Sequence, residues 1–129
     1  MNQKIFGPHL TIDGKECSRE KLRDIQVVYR ILNELPQEIG MTKMTLPYVV
    51  EWKDTWNQNK DSTPGISGFV MIAESHISIH TFPDQNYVFI DIFSCKPFDT
   101  EKAKSFITKQ LEIKKCEINI VKRGIDFPR

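Results

Sequence analysis

The sequence is poor in the features that mark disulfide-stabilised, metal-stabilised and membrane-bound chains. Its three cysteines, Cys17, Cys95 and Cys116, are an odd number and lack CxxC spacing, so neither a disulfide framework nor a structural metal is expected. No apolar run is long enough to indicate a signal peptide or a membrane span. These absences predict a protein of the reducing cytoplasm that has no membrane partner.

An excess of charge of one sign is also missing. The 18 lysines and arginines nearly balance 17 acidic residues, which gives a formal net charge of +1. This balance disfavours nucleic acid or an anionic membrane as the main partner. Basic residues near the C-terminus, including Lys122 and Arg123, are expected to be solvated. Because the 129 residues contain no repeats or interdomain linkers and can bury one core, we expect a single domain over residues 1–129.

Hydrophobic periodicity predicts the element order β-α-β-β-β-β-α-β and an α+β fold. The expected architecture is a two-layer sandwich in which a mostly antiparallel β-sheet is backed by two helices. A first strand is predicted over Ile5–Ile12 with a turn at residues 13–15, and a first helix runs from the cap Ser18 to Pro36. The other predicted elements are strands Thr42–Trp52, Ile66–Glu74, His76–Phe82, Tyr87–Cys95 and Glu117–Lys122 and a helix capped by Asp99.

The stretch ISGFVMIAESHISIHTFPD, from Ile66 to Asp84, holds the residues most suited to chemistry. It is apolar until an acid, a serine and a histidine follow one another. Period-two alternation then places His76, Ser78 and His80 on one face of a predicted strand, with isoleucines on the other face. A strand that served only the core would not carry this polar face.

The pair Glu74-Ser75 is a candidate for self-cleavage. A serine hydroxyl held against the preceding carbonyl can attack it and shift the acyl group from nitrogen to oxygen. Serine needs a neighbouring base for this, and His76 and His80 are both candidates. If β-elimination then breaks the ester, Ser75 becomes dehydroalanine and, after ammonia is lost, a pyruvoyl group.

These motifs resemble those of the small prokaryotic S-adenosylmethionine decarboxylases, which are pyruvoyl-dependent enzymes. The run ESHISIHTFPD follows Gly65-Ile66-Ser67-Gly68 and precedes Phe93-Ser94-Cys95, and the family's motifs read close to ESHLSIHTWPE, GVSG and DVFTC at these spacings. The resemblance is strong over these motifs and looser over the N-terminal third.

The resemblance implies an enzyme made by cleavage between Glu74 and Ser75, into a β chain of residues 1–74 and an α chain of residues 75–129. The pyruvoyl group derived from Ser75 would form a Schiff base with the α-amine of an amino-acid-type substrate and accept electrons on decarboxylation. No metal and no pyridoxal phosphate would then be required. The family also implies that the fragments stay together and form a homodimer with active sites near the subunit interface.

Three further residues match family motifs with known roles. His80 matches the histidine that helps to eliminate the ester during processing. Ser67 matches a serine that stabilises the cyclic processing intermediate, and Cys95 matches the cysteine that protonates the substrate α-carbon after carbon dioxide leaves. Cys17 and Cys116 are expected to be structural.

The substrate is less well defined by the sequence. Phe82, Asp84 and His76 are candidate binding residues for S-adenosylmethionine, whose decarboxylation supplies the aminopropyl donor for spermidine synthesis. The family usually has an aromatic residue six positions before the serine of GVSG, and here that position is Asp61. An acid facing the pocket would suit L-arginine or L-ornithine, which are the alternative substrates.

A non-catalytic regulatory paralogue is an alternative of a different class. Such a protein would be expected to have lost Ser75, His80 or Cys95. All three residues are present, so the sequence favours a working enzyme.

Overall fold

The computed structural model describes residues 4–53 and 65–129. The candidate binding residue Asp61 lies outside these residues. Within them the chain forms six strands, three helices and one 3-10 turn. In chain order they are β1 (Gly7–Lys15), α1 (Arg19–Leu22), α2 (Ile25–Glu38), β2 (Tyr48–Glu51), β3 (Ile66–Ile72), β4 (Ser75–Phe82), the 3-10 turn (Pro83–Gln85), β5 (Tyr87–Phe93), α3 (Thr100–Leu111) and β6 (Lys115–Arg123).

The strands form one sheet in the order β2-β3-β4-β5-β1-β6, and every neighbouring pair is antiparallel. The buried faces of α2 and α3 pack with the sheet's inner side chains in one hydrophobic core. The predicted α+β two-layer architecture is therefore confirmed. The opposite face of the sheet has no covering layer among the described residues, and we call it the open face.

The two faces of strand β4 carry different kinds of residue, as its period-two alternation predicts. Ile77 and Ile79 are fully buried beneath the helices. The side chains of His76, Ser78 and His80 point to the open face, where they keep partial or full exposure. These three polar side chains of β4 therefore share one surface.

The helical layer has three helices instead of the predicted two because the first helix is divided. Asp24 is in an extended conformation, and its carboxylate accepts a hydrogen bond from the backbone N–H of Gln26 at 2.9 Å. It acts as a second N-cap only six residues after Ser18, the first one. Pro36 does not end α2, because it lies in the last turn, where a missing N–H disrupts little of the helix.

Two strands also differ from their predicted limits. Strand β1 continues through the predicted turn at residues 13–15, and Gly14 pairs with both β5 and β6. A glycine is needed there because a Cβ would come within 2.8 Å of a Val88 methyl group. The second strand is restricted to Tyr48–Glu51, and the segment before Pro47 adds only an isolated bridge between Lys43 and Ile72. Among the described residues, no helix has the length and apolar character needed to span a membrane.

The buried hydroxyl of Thr81 joins β4 to the helical layer, and its removal should destabilise the fold. It donates to the Leu22 carbonyl and accepts from the Ile66 N–H, both at 2.9 Å. Thr81→Val keeps the shape but leaves both backbone groups buried and unpaired, at about 1–3 kcal/mol each. Thr81→Ser, which loses only a methyl group, should cost about 1 kcal/mol.

Urea unfolding of both variants in an uncut Ser75→Ala background measures this difference. Equal losses of unfolding free energy in the two variants would show that the hydrogen bonds of Thr81 are not needed for stability.

Candidate active site

A tight turn between β3 and β4 positions Ser75. Ile72 and Ser75 are cross-strand partners, so only Ala73 and Glu74 connect the two strands. Glu74 has a φ of 66°, a left-handed conformation that costs a non-glycine residue on the order of 1 kcal/mol. The Ser75 hydroxyl is buried and has no hydrogen-bond partner among the described residues. Because buried hydroxyls are normally paired, an unpaired one beside a strained peptide indicates a reactive site.

Cys95 lies against the same turn. Its thiol donates to the carbonyl of Ala73 across 3.4 Å. The preceding backbone is fixed, since the Ser94 N–H donates to the Pro8 carbonyl at 3.0 Å. The approach of β1 requires Gly7, where a Cβ would come within 1.8 Å of the Ser94 carbonyl oxygen. The structure thus brings Cys95 to the turn that precedes Ser75.

Ser67 and His80 form a second group at the far end of the β3-β4 hairpin. They face one another across the two strands, and the Ser67 hydroxyl lies 2.7 Å from His80 Nδ1. Five residues of straight strand separate His80 from Ser75, which is about 16 Å. Phe82 lies on the His80 side, with its ring 5.6 Å from that of Phe89. The structure therefore does not bring Ser67, His80 or Phe82 to the Ser75 of the same chain.

A polar network that the sequence prediction missed crosses the open face beside His76. Asp91 accepts hydrogen bonds from the Ser78 hydroxyl and from His9 Nε2, the latter at 3.0 Å. Arg123 Nη1 lies 2.8 Å from His9 Nδ1. Because the guanidinium can only donate, His9 Nδ1 accepts, and the ring proton lies on Nε2, facing Asp91. The sequence did carry a signal for Asp91. It lies two residues before Phe93, which begins the Phe93-Ser94-Cys95 motif, so period-two alternation puts Asp91 and Phe93 on the same face of the strand.

Asp91 is a fixed negative charge in this network. Burial alone would raise the pKa of its carboxyl, but hydrogen bonds from Ser78 and His9 and the electrostatic influence of the two nearby imidazoles together lower that pKa. The carboxyl is therefore ionised at neutral pH. His76 Nε2 is 4.0 Å from the same carboxylate.

The side chains of His9, His76 and Asp91 have ligand atoms within 4.8 Å of one another, as a metal site would. Two imidazoles and a carboxylate can bind a transition metal. Here, however, Arg123 occupies Nδ1 of His9 and directs the proton to Nε2, which is the atom that faces the other two residues. The geometry favours a hydrogen-bond network over a metal centre.

The remaining candidate binding residues are dispersed. His76 shares a cavity of about 400 Å³ with Ser75 and Arg123. Asp84 lies elsewhere, with Trp52, around a second cavity of about 300 Å³, where Arg23 is 3.4 Å from its carboxylate. Of the candidate binding residues that the structure describes, only His76 lies beside Ser75. Arg123 is exposed, as expected, but its guanidinium also stacks on Phe93.

The α+β fold and the motifs of the β3-β4 hairpin are those expected of a pyruvoyl-type decarboxylase, and comparison with known proteins supports this class. A sequence model described as S-adenosylmethionine decarboxylase matches residues 8–124. The chain belongs to this family.

Curated relatives match nearly the whole chain. The S-adenosylmethionine decarboxylase proenzyme of Clostridium botulinum (strain Loch Maree / Type A3) is 34% identical over 122 residues, covering 94% of this chain and 97% of the relative. The proenzyme of the same name from Thermotoga maritima is 33% identical over 128 residues, covering 94% and 86%. The crystal structure of the adenosylmethionine decarboxylase from Aquifex aeolicus VF5 has the same fold, with a TM-score of 0.79, 24% identity and coverage of 95% and 93%.

The three cysteines should differ in reactivity according to their surroundings. Burial raises the pKa of the Cys17 thiol to about 11, and the nearby Cys116 adds to the shift. Iodoacetamide at pH 8 should therefore modify the partly exposed Cys95 and Cys116 well before Cys17. Peptide mass spectrometry measures the order of labelling, with denatured protein as the control in which all three react. Native Cys17 reacting as fast as Cys116 would contradict this assignment.

Proposed function

We propose that this protein is a pyruvoyl-dependent S-adenosylmethionine decarboxylase that cleaves itself between Glu74 and Ser75. The observation that carries the proposal is the turn itself: an unpaired buried serine hydroxyl follows a left-handed glutamate, and a cysteine thiol lies against the same backbone. Membership of the decarboxylase family supports the reaction and the substrate. Decarboxylation would provide the aminopropyl donor for spermidine synthesis.

Self-cleavage would use atoms already present in the turn. The Ser75 hydroxyl oxygen attacks the carbonyl carbon of Glu74 while a base takes its proton, and the C–N bond breaks as nitrogen gains a proton. Loss of the α-proton of residue 75 then expels the Glu74 carboxylate and leaves dehydroalanine. Tautomerisation to an imine and addition of water release ammonia and leave the pyruvoyl group. The products are a β chain of residues 1–74 and an α chain of residues 75–129.

The pyruvoyl group would supply a carbonyl that takes up the electron pair released with carbon dioxide. Around it, the described residues provide a partly apolar cavity wall that includes Met71 and Phe93. The thiol of Cys95, held beside Ala73, is placed to return a proton to the substrate α-carbon. This role separates Cys95 from the processing residues, since it is needed only after the bond has been cut.

A second copy of the chain would complete the site. His80, the candidate processing base, is paired with Ser67 about 16 Å along the strand from the Ser75 of its own chain. An antiparallel approach of two open faces about a two-fold axis can bring the His80 of one chain to the Ser75 of its partner. We therefore propose a homodimer in which Ser67 and His80 process the other subunit.

The open face has the apolar character that such a contact needs. Large apolar side chains on it remain 42–64% exposed, and exposed apolar patches commonly mark interaction sites. They lie on strands β2, β3, β5 and β6, so they surround the polar network around Asp91. These side chains are Tyr48, Phe69, Met71, Phe89 and Val121.

Cleavage and turnover should be separable by single substitutions at the turn. Ser75→Ala removes the nucleophile and should leave one chain of full length. Cys95→Ala should still yield two fragments but lower carbon dioxide release from S-adenosylmethionine at least about tenfold, because a positioned general acid is lost. Intact mass and a radiometric assay are the two measurements.

Carbon dioxide release from L-arginine and L-ornithine is assayed in parallel with release from S-adenosylmethionine, and the comparison identifies the substrate. An uncut wild-type protein, or a fully active Cys95→Ala enzyme, would contradict the respective assignment.

Processing between subunits should appear in mixed dimers of two inactive variants. His80→Ala and Ser75→Ala should each remain uncut alone, the first for lack of the base and the second for lack of the nucleophile. When the two are co-expressed with different affinity tags and purified through both, the His80→Ala chain should be cut by His80 of the other chain. Fragment masses identify which chain has been cleaved.

The alternative outcomes are equally clear. A mixed dimer that stays uncut would favour processing within one chain, and efficient cleavage of His80→Ala alone would remove His80 from processing.

A further inference from the structure

Arg123 stands beside the candidate cleavage site although it is far from it in sequence. Its guanidinium carbon is 4.5 Å from the centre of the Phe93 ring. The side chain also lines the cavity of about 400 Å³ that contains Glu74, Ser75 and His76. An arginine therefore faces the space that a ligand of residue 75 must enter.

The guanidinium is held in place from two sides. The Phe93 ring supports it through a cation–π contact. His9 accepts its Nη1–H at 2.8 Å, and His9 is itself fixed by a hydrogen bond of 3.0 Å to the ionised carboxylate of Asp91. A side chain fixed in this way loses little further conformational entropy when it binds a ligand.

Most of the donor capacity of Arg123 is unused. A guanidinium has five N–H groups, and its one hydrogen bond within residues 4–53 and 65–129 goes to His9. It also forms no ion pair with an acidic residue in that part of the chain. The arrangement leaves a positive, forked set of donors available to an anionic group in the cavity.

We propose that Arg123 binds the α-carboxylate of the amino-acid substrate. The inference rests on the proposed function, since a substrate that reacts at residue 75 through its α-amine carries its carboxylate only two bonds from that nitrogen. The carboxylate must then lie in the same cavity, where Glu74 repels it and the side chains of Met71 and Phe93 offer no charge. The planar fork of an arginine matches the two oxygens of a carboxylate.

This contact should affect binding more than the chemical step. It stabilises the bound substrate while the carboxylate still carries its charge, and that charge moves into the conjugated carbonyl as carbon dioxide leaves. An interaction that is no stronger in the transition state than in the bound substrate lowers KM and does not raise kcat. Loss of Arg123 should therefore raise KM and leave kcat comparatively unchanged.

The test compares two ligands that differ only in the carboxylate. For Arg123→Ala, KM for S-adenosylmethionine should rise about 10- to 100-fold, as expected for a lost charge-assisted pair. The inhibition constant of decarboxylated S-adenosylmethionine, which lacks the carboxylate, should stay within about twofold of the wild type. Arg123→Lys, which keeps the charge but not the fork, should show an intermediate KM.

Lys122→Ala provides the matched control, because Lys122 is the preceding basic residue and points to the other face of β6. It should leave both constants unchanged. Intact mass and sedimentation are measured first, so that defects in cleavage or assembly are seen separately. If wild type cleaves and prefers arginine, the same comparison is made with arginine and agmatine.

Parallel rises of both constants in Arg123→Ala, or no rise in either, would overturn the assignment of Arg123 alone. A wild-type protein that is neither cleaved nor able to release carbon dioxide would overturn the proposed function together with it.

Discussion

The register of strand β4 is the constraint on which the site depends. Ile77 and Ile79 are buried beneath the helices, and the hydroxyl of Thr81 bonds to backbone groups on either side. A slip by one residue would turn every side chain of the strand to the opposite face, burying His76 and His80 and exposing the isoleucines. The hydrophobic core thus fixes which polar groups face the cavity, although it lies on the other side of the sheet.

A network of charged and polar side chains crosses four strands of the open face, β4, β5, β1 and β6. Asp91 of β5 stays ionised because Ser78 and His9 donate hydrogen bonds to it. Through His9 this carboxylate directs the ring tautomer that accepts the hydrogen bond of Arg123. The same carboxylate is 4.0 Å from His76, the residue that follows Ser75. One half-buried acid, Asp91, therefore contacts both the histidine that fixes the Arg123 guanidinium and the histidine that follows Ser75.

Local patterns in the sequence predicted much of this molecule, and topology accounts for the rest. Alternation alone places His76 and His80 on the open face, since a strand has period two. The meeting of His9, Asp91 and Arg123 requires that β1 lie between β5 and β6, which no local pattern specifies. The two caps Ser18 and Asp24 mark the divided helix, but both also fit a single helix with one frayed turn. The separation of His80 from Ser75 follows directly from strand length, once both are known to belong to one unbroken strand.

The distance between His80 and Ser75 determines the order of dimer assembly and cleavage in the proposed mechanism. Within one chain, the strained Glu74 peptide and the unpaired Ser75 hydroxyl are present, but His80, which matches the processing histidine of the family, is about 16 Å away along the strand. A hydroxyl without a base is a poor nucleophile, so under the proposed assembly a lone chain would retain its reactive bond. In the proposed dimer, the second open face that supplies His80 would also cover the cavity and exclude water from the group that cleavage creates. Assembly would therefore precede activation, and the reactive carbonyl would form only where it is already enclosed.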